Sequence, residues 1–313
     1  MTKVGEFSGM RLGALMSGAL SAHLALAGVA HANVRVCQEQ EQAYEQIEKS
    51  AGPIEINTAL WTAADKGCLA LARRLLEAGA SLEARDGMGR MALARAARAG
   101  HAEIVELFLA RGAPVNARNL EGSTALFLAA EEDNRSIVET LVKHGADLSL
   151  TGRSGLTPLA AAAYLGNEPL VRLLLERGAD PKAVDTTGKG PICYAGGRGF
   201  TGVVRLLLEH GVDVNTRYGN DLTALMWAAG HADAAGTRDV EDLMTLLIDR
   251  GAHVNEQDNR GRTALMIAAS LGHRSAVELL LARGADRALR DHEGKTAADL
   301  VSDASLRTKL AVK

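Results

Sequence analysis

A short block built on Thr-x-Leu recurs along the chain with a period of 33 residues, and this period constrains the fold more than any other feature. The blocks start at Thr58, Met91, Thr124, Thr157, Gly190, Thr223, Thr263 and Thr296, with one longer step of 40 residues between Thr223 and Thr263. A repeat of this length is a supersecondary unit that buries its apolar face only by stacking on its neighbours. The sequence therefore predicts an elongated stack that shares one core, and it argues against an enzyme pocket.

Residues 258–290 show what one unit contains. Asp258 and Gly261 are typical turn residues, and Thr263 is a typical helix N-cap. Gly272 and Gly284 stand where glycine ends a helix. The first helix so delimited carries small alanines, and the second carries leucines and a valine. Neither helix buries its apolar face alone, so the predicted fold class is all-α.

These residues resemble the ankyrin repeat, whose pattern joins Gly-x-Thr-Pro-Leu and Ala-Ala to a later Gly-Ala-Asp. The best matches are residues 155–163 and 173–180, and eight copies cover about 53–310. The resemblance implies a solenoid of helix-turn-helix units with hairpin turns and capping helices at both ends. The His expected after Thr-x-Leu is replaced in every copy. We expect two of its replacements, Trp61 and Phe127, to lie in the core.

The first 32 residues lie outside the repeats and have the pattern of a secretory signal peptide. Lys3 and Arg11 make the start basic, residues 12–30 are uncharged and mostly apolar, and Ala30 and Ala32 are the small residues that a signal peptidase reads. A retained membrane anchor is the alternative, because the apolar run is near the lower limit for spanning a bilayer. We predict cleavage after Ala32 and export to a bacterial periplasm, with secretion as the alternative.

The remaining chain divides into a polar capping helix at 33–52 and a repeat array at 53–313. In the helix, Ala43, Tyr44 and Ile47 fall on one side, where they can cover the first repeat. The array ends in a cap at 291–313. Such polar terminal units keep an open stack in solution. No later segment is long and apolar enough to span a membrane, so we expect no membrane insertion after cleavage. We also expect the mature chain to be a monomer.

Charge gives no reason to expect a nucleic-acid partner. The chain has 35 Lys and Arg against 38 Asp and Glu, a formal net charge of −3 at pH 7, and loss of the leader changes this by one unit. Nucleic-acid binding depends on clustered cations that neutralise phosphates.

Three cysteines predict one disulfide in an oxidising compartment. Cys37 and Cys68 both belong to the N-terminal end of the stack, whereas Cys193 falls four repeats away. The predicted bridge is therefore Cys37–Cys68, worth about 3 kcal/mol in the chain-entropy model. Two free thiols are the alternative, and Cys193 is interpreted as a buried apolar side chain.

No catalytic or metal-binding motif stands out, so we predict a protein that is not an enzyme and needs no cofactor. The seven extra residues of the long step fall near 230–238, between the two helices of the sixth repeat. Insertions in repeat proteins often lie on the binding face, although added loop length is also tolerated at little cost. A metal site or an enzyme built on this loop and nearby histidines is the rival hypothesis.

In ankyrin-repeat proteins, partners usually meet a concave face made of the hairpin tips and the exposed side of the first, inner helices. We call this surface the inner face. By position, its exposed residues include Met88 and Leu120, and the predicted partner-binding residues are Arg90, Glu131, Glu132, Arg153, Tyr164, Lys189, Arg198, Asn220, His231, Arg260 and Arg262. Acidic groups gather at repeat three and basic groups from repeat four onward, which predicts a partner with an acidic patch.

The resemblance is to exported bacterial ankyrin proteins, and it implies a scaffold that binds another protein. An envelope enzyme, such as one of oxidant defence, is the implied class of partner. Two other binding roles fit the same sequence, a toxin-neutralising immunity protein and a secreted effector.

Overall fold

The computed structural model describes residues 34–230 and 237–311, and these ranges are built from paired helices. Helix α1 spans residues 34–47. The inner helices are α2 (Pro53–Lys66), α4 (Ala92–Ala99), α6 (Ala125–Glu131), α8 (Pro158–Leu165), α10 (Pro191–Gly196), α12 (Ala224–Ala229), α14 (Ala264–Leu271) and α16 (Ala297–Leu300). The outer helices are α3 (Leu69–Glu77), α5 (Ala102–Ala110), α7 (Arg135–Lys143), α9 (Glu168–Glu176), α11 (Thr201–Glu209), α13 (Thr237–Asp249), α15 (Arg274–Ala282) and α17 (Ala304–Leu310). The prediction of an all-α solenoid is confirmed.

The inner helix of the seventh unit begins and ends where the sequence places a cap, whereas Thr58 of the first block lies inside α2. In the seventh unit, the Thr263 hydroxyl accepts a hydrogen bond from the Met266 backbone N–H at 3.3 Å. Gly272 ends the inner helix in the left-handed conformation, with φ of 75°. Glycine adopts this conformation without the steric penalty that a Cβ brings. The outer helix follows at once, as the spacing predicts.

One core runs through the whole stack, from Tyr44 of α1 to Leu310 of α17. Inner helices contact inner helices of the next unit, and their buried alanines allow this close approach. Outer helices supply the larger aliphatic groups. Phe127 is fully buried, as predicted, while Trp61 is only partly buried. Because each unit packs on its neighbours, stability in this fold is a sum of local units and their interfaces.

The hairpin turns that join the units are closed by a carboxylate or amide side chain. In five turns the Oδ1 atom accepts hydrogen bonds from the backbone N–H groups two and four residues later. These side chains are Asp86, Asn119, Asp185, Asp258 and Asp291. The turns that carry Gly152 and Tyr218 at this position lack that acceptor. They instead form short 3-10 turns in which Ser154 and Asn220 have positive φ.

The residue just before an outer helix contacts the preceding unit, and its chemistry changes from unit to unit. In the first unit this residue is Cys68, which forms the predicted disulfide with Cys37 of α1. Further along, a hydrogen bond to a backbone carbonyl takes the same place: His101 Nε2 to Asp65 O, Asn134 Nδ2 to Ala97 O and His273 Nδ1 to Ala229 O, each at 3.0 Å. One sequence position thus supplies a series of contacts between successive units.

Helix α1 covers the N-terminal end of the stack. Tyr44 is buried, and Arg74 of the first outer helix lies over its ring, 5.6 Å from the centroid. The same guanidinium pairs with Glu45 at 3.2 Å and Glu48 at 2.6 Å. The disulfide, the buried ring and this ion-pair cluster together hold α1 on the first repeat.

The surroundings of the third cysteine make its thiol unreactive. Cys193 lies on α10, 2% exposed, and burial raises the pKa of its thiol to about 12. Because the thiolate is the reactive form, this side chain acts as a small apolar group of the core, as predicted.

Candidate protein-binding face

The inner face is a regular grid, because equivalent residues recur at fixed distances from each helix cap. The residues seven and eight positions after the cap are exposed or half-buried on successive inner helices, whereas those four positions after it range from half-buried, such as Arg95, to buried, such as Leu128. The residue directly before the cap lies on the hairpin beside them. Within this grid, the first three repeats and the later ones differ in how their charges are used.

In the first three repeats, the charged groups of the inner face neutralise one another. Arg95 pairs with Asp65 and with Asp86. Arg90, a predicted binding residue, pairs with Asp86 at 2.9 Å. The predicted residue Glu132 accepts from Arg98 at 3.1 Å. These groups form a network along the stack and leave little uncompensated charge for a partner.

Two predicted binding residues, Glu131 and Arg153, also form an ion pair with each other, between α6 and the next hairpin. Arg262 is compensated in the same way by the buried Asp258, at 2.9 Å. Asn220 lies at its hairpin tip, where its carbonyl oxygen accepts from the Asn259 backbone N–H at 3.2 Å. Arg260 is exposed on the neighbouring tip. His231 lies outside the described residues.

In repeats four to six, cations lie on aromatic rings instead. The Arg198 guanidinium carbon is 4.4 Å from the centroid of Tyr164, and Lys189 Nζ is 5.3 Å from that of Trp227. Tyr164 also meets Tyr194 edge to face, with centroids 6.0 Å apart. Tyr164 is 45% exposed although it is a large ring. Among the residues that the structure describes, Lys189 and Arg198 have no carboxylate partner.

A carboxylate below this cluster fixes the Tyr194 ring. The Tyr194 hydroxyl donates to Asp185, the turn carboxylate of its own repeat. Burial and this neighbouring carboxylate both raise the pKa of the tyrosine. The ring is therefore neutral and oriented, which gives Tyr164 a fixed neighbour.

Between the hairpins and helices of repeats five to seven, the inner face opens into a groove of about 230 Å³. Apolar groups line it, with Arg262 at its hairpin side: Leu222, Met226, Trp227 and Ile267, together with Gly197 and Gly230. The exposed Leu271, 55% accessible, follows on α14.

No group of three or more His, Cys, Asp or Glu side chains in 34–230 and 237–311 is placed to hold a metal ion. Over the same residues, no helix has the length and apolarity needed to cross a bilayer.

A sequence model of the family described as "Ankyrin repeats (3 copies)" matches residues 36–119, 93–185 and 232–303, which is more than half of the chain. The chain belongs to the ankyrin-repeat family. A comparison with curated proteins found no match. Ankyrin repeats are protein-interaction domains and generally non-enzymatic scaffolds, so the chain carries a domain for binding another protein. In the part of the chain that the structure describes, repeats four to seven offer the exposed Tyr164 ring, the cations Lys189 and Arg198, and the groove, which are features that an interface uses.

Sequence reasoning named Tyr164, Lys189 and Arg198 but missed what joins them. Tyr194 and Gly197 were not singled out. A comparison of equivalent positions finds them: four residues after the cap, Tyr194 and Trp227 occur in consecutive repeats, and seven residues after it, Gly197 and Gly230 do. The stacking of cations on rings in neighbouring repeats needs the three-dimensional structure.

The carboxylate of Asp86 links the stability of its turn to pH. Burial by itself raises the pKa of Asp86, but hydrogen bonds from the Arg90 and Met88 backbone and from the Arg90 and Arg95 side chains outweigh it and hold the pKa below its usual value. A lowered folded-state pKa contributes stability above the unfolded pKa of about 3.9, and this contribution is lost as the pH falls through the folded value.

We therefore expect the free energy of unfolding to fall as the pH drops below about 4. Asp86→Asn keeps the turn acceptor, as Asn119 does naturally, but loses the charge, so its stability should vary less with pH over this range. Urea unfolding of both proteins between neutral and acid pH measures this. Parallel curves for the variant and the parent would rule Asp86 out as a contributor.

Proposed function

We propose that this chain is a non-enzymatic scaffold of a bacterial periplasm that binds another protein through its inner face. The observation that carries the proposal is a cluster in which Lys189 lies over the half-buried Trp227 ring and Arg198 over the exposed Tyr164 ring, neither cation having a carboxylate partner in the described ranges. Desolvated aromatic and Arg side chains are the usual anchors of protein interfaces. The partner class is an envelope enzyme, such as one of oxidant defence, and the scaffold acts as a monomer without a cofactor.

Affinity purification from the native envelope tests this proposal. The tagged mature chain should retain a partner that mass spectrometry identifies. Charge reversal at Lys189 and Arg198 should weaken retention, whereas reversal at Arg172 and Arg205, which are exposed on the outer helices of repeats four and five, should not. The absence of any retained protein, or equal loss with both variants, would contradict the proposal.

Export through a cleaved leader is the second part of the proposal, and the Cys37–Cys68 disulfide supports it, since such bonds persist in oxidising compartments. The leader, residues 1–32, lies outside the described residues. We expect the protein released by osmotic shock to begin at Asn33 by intact mass. Replacing Ala30 and Ala32 with Arg should block cleavage. A full-length protein in the membrane fraction would favour the retained anchor.

Secreted effector and immunity protein remain rival binding roles, and the identity of the purified partner separates them. The metal or enzyme hypothesis rests on the insertion near 230–238, of which 231–236 lie outside the described residues. Metal content of the purified protein that disappears in His231→Ala would favour that hypothesis.

A further inference from the structure

The groove on repeats five to seven owes its space to glycine. Gly230 closes α12 with φ of −82°, an ordinary right-handed value that any residue adopts. A Cβ at this position would meet its nearest neighbour, Met226 O, at 3.4 Å, which is normal contact. Backbone strain and crowding therefore do not account for the glycine here. Its consequence is the open space beside Trp227 and Ile267.

The size of this space suits one side chain. A cavity of about 150 Å³ accommodates a benzene ring, and the groove measures about 230 Å³. Met226 forms its buried floor, and the Trp227 ring and Ile267 stand beside it. A single large apolar group fits, whereas a packed helix would not.

Nearby cations determine which side chains are favoured next to that apolar group. Lys189 Nζ lies over the Trp227 ring that lines the groove, and the Arg198 guanidinium lies towards repeat four, over the Tyr164 ring. The Arg198 guanidinium carbon is 4.4 Å from the Tyr164 centroid, and a guanidinium has several N–H donors with which it can bind a carboxylate. Arg262, on the same groove, is already neutralised by Asp258. One cation without a carboxylate partner in the described ranges, Lys189, therefore lies on a wall of the groove, and a second, Arg198, lies on the repeat-four side of it.

We propose that this groove binds an extended, acidic segment of the partner protein, with one aromatic or large aliphatic side chain in the groove and flanking carboxylates on Lys189 and Arg198. The inference rests on the proposed function and narrows it to one site and one ligand chemistry. Burial of the apolar side chain contributes binding free energy, and the cations favour acidic residues around it.

Labelled peptides test this chemistry directly. The probe is fluorescein-Gly-Asp-Glu-Ser-Phe-Ser-Glu-Asp-Gly, and its binding to the mature protein is followed by fluorescence anisotropy. We expect saturable binding that weakens about tenfold or more when Phe is replaced with Gly, or when Lys replaces all the acidic residues. Higher salt should also weaken it. No saturable binding, or equal binding of the three peptides, would overturn the inference.

Variants of the protein locate the site. Gly230→Leu fills the groove, and Lys189→Glu with Arg198→Glu removes the cations; each should reduce affinity for the Phe peptide about tenfold or more. The matched control, Arg172→Glu with Arg205→Glu, should bind as the parent does, and far-UV circular dichroism confirms folding of all three. In the Trp61→Phe background, Trp227 is the remaining tryptophan, and its emission should change on binding.

The partner from the envelope purification separates failure of this inference from failure of the proposed function. A partner that binds the parent, Gly230→Leu and double-charge variants equally would refute the groove as its site while leaving the scaffold function intact. Failure to purify any partner would refute the scaffold function itself.

Discussion

Replacing Phe127 with Ala is expected to lower the free energy of unfolding by about 3–5 kcal/mol, because its fully buried ring leaves a cavity in the middle of the stack. Urea unfolding followed by circular dichroism measures the change. Leu120→Ala, at a hairpin tip where the side chain is 78% exposed, is the control and should cost less than about 0.5 kcal/mol. A similar loss for both variants would mean that the Phe127 ring is not part of a close-packed core.

The same ring explains an irregular turn. A Cβ added to Gly152 would overlap the Phe127 ring, although the φ of −94° at Gly152 is open to Ala. Gly152→Ala should therefore cost about 1–3 kcal/mol in the parent and much less in the Phe127→Ala background. Such coupling is the signature of residues in contact. Additive effects would show that Gly152 is needed for another reason.

Loss of the Cys37–Cys68 disulfide is expected to destabilise the N-terminal end by about 3–4 kcal/mol, from the entropy of a loop of this length in the unfolded chain. The bonded residues are 31 positions apart in sequence. In Cys37→Ala with Cys68→Ala, α1 and the first repeat should lose hydrogen-exchange protection, while residues 258–290 should keep theirs, because units of a solenoid contact only their neighbours.

Two comparisons control this experiment. Cys193→Ala removes a buried thiol but leaves the bridge, so reductant should destabilise it as it does the parent. Reductant should not affect the double variant further. Equal protection of the first repeat with and without the bridge would show that Tyr44 packing and the Arg74 ion pairs hold α1 unaided.

The regular part of the fold follows from the sequence, and its exceptions do not. Thr caps and glycine stops recur every 33 residues, so the helices of repeat seven lie where the pattern predicts. Gly152 replaces the acceptor of its turn, and Gly190 replaces a Thr cap. At both positions an aromatic ring from another turn or helix occupies the space that a Cβ would need. For Gly190 the ring is Tyr218, 28 residues later, at 2.8 Å. Such compensation depends on packing between units, which a single repeat does not contain.

The candidate site was predictable in position and not in chemistry. The positions of Arg153, Lys189 and Arg198 on the inner face follow from the period. Whether each charge is available to a partner does not follow from the period, since Arg153 pairs with Glu131 whereas Arg198 lies over the Tyr164 ring. Only distances between neighbouring repeats separate a compensated cation from an available one.

The contact made by Cys68 also has a mechanical consequence. Its equivalents His101 and His273 hold successive units by hydrogen bonds that a pulling force can break one at a time. The covalent bond between Cys37 and Cys68 prevents the residues between them from being extended when the protein is unfolded by force. At about 3.4 Å per extended residue, this withholds roughly 100 Å of contour. Stretched between its ends, the oxidised protein should reach full extension shorter than the reduced one by that length.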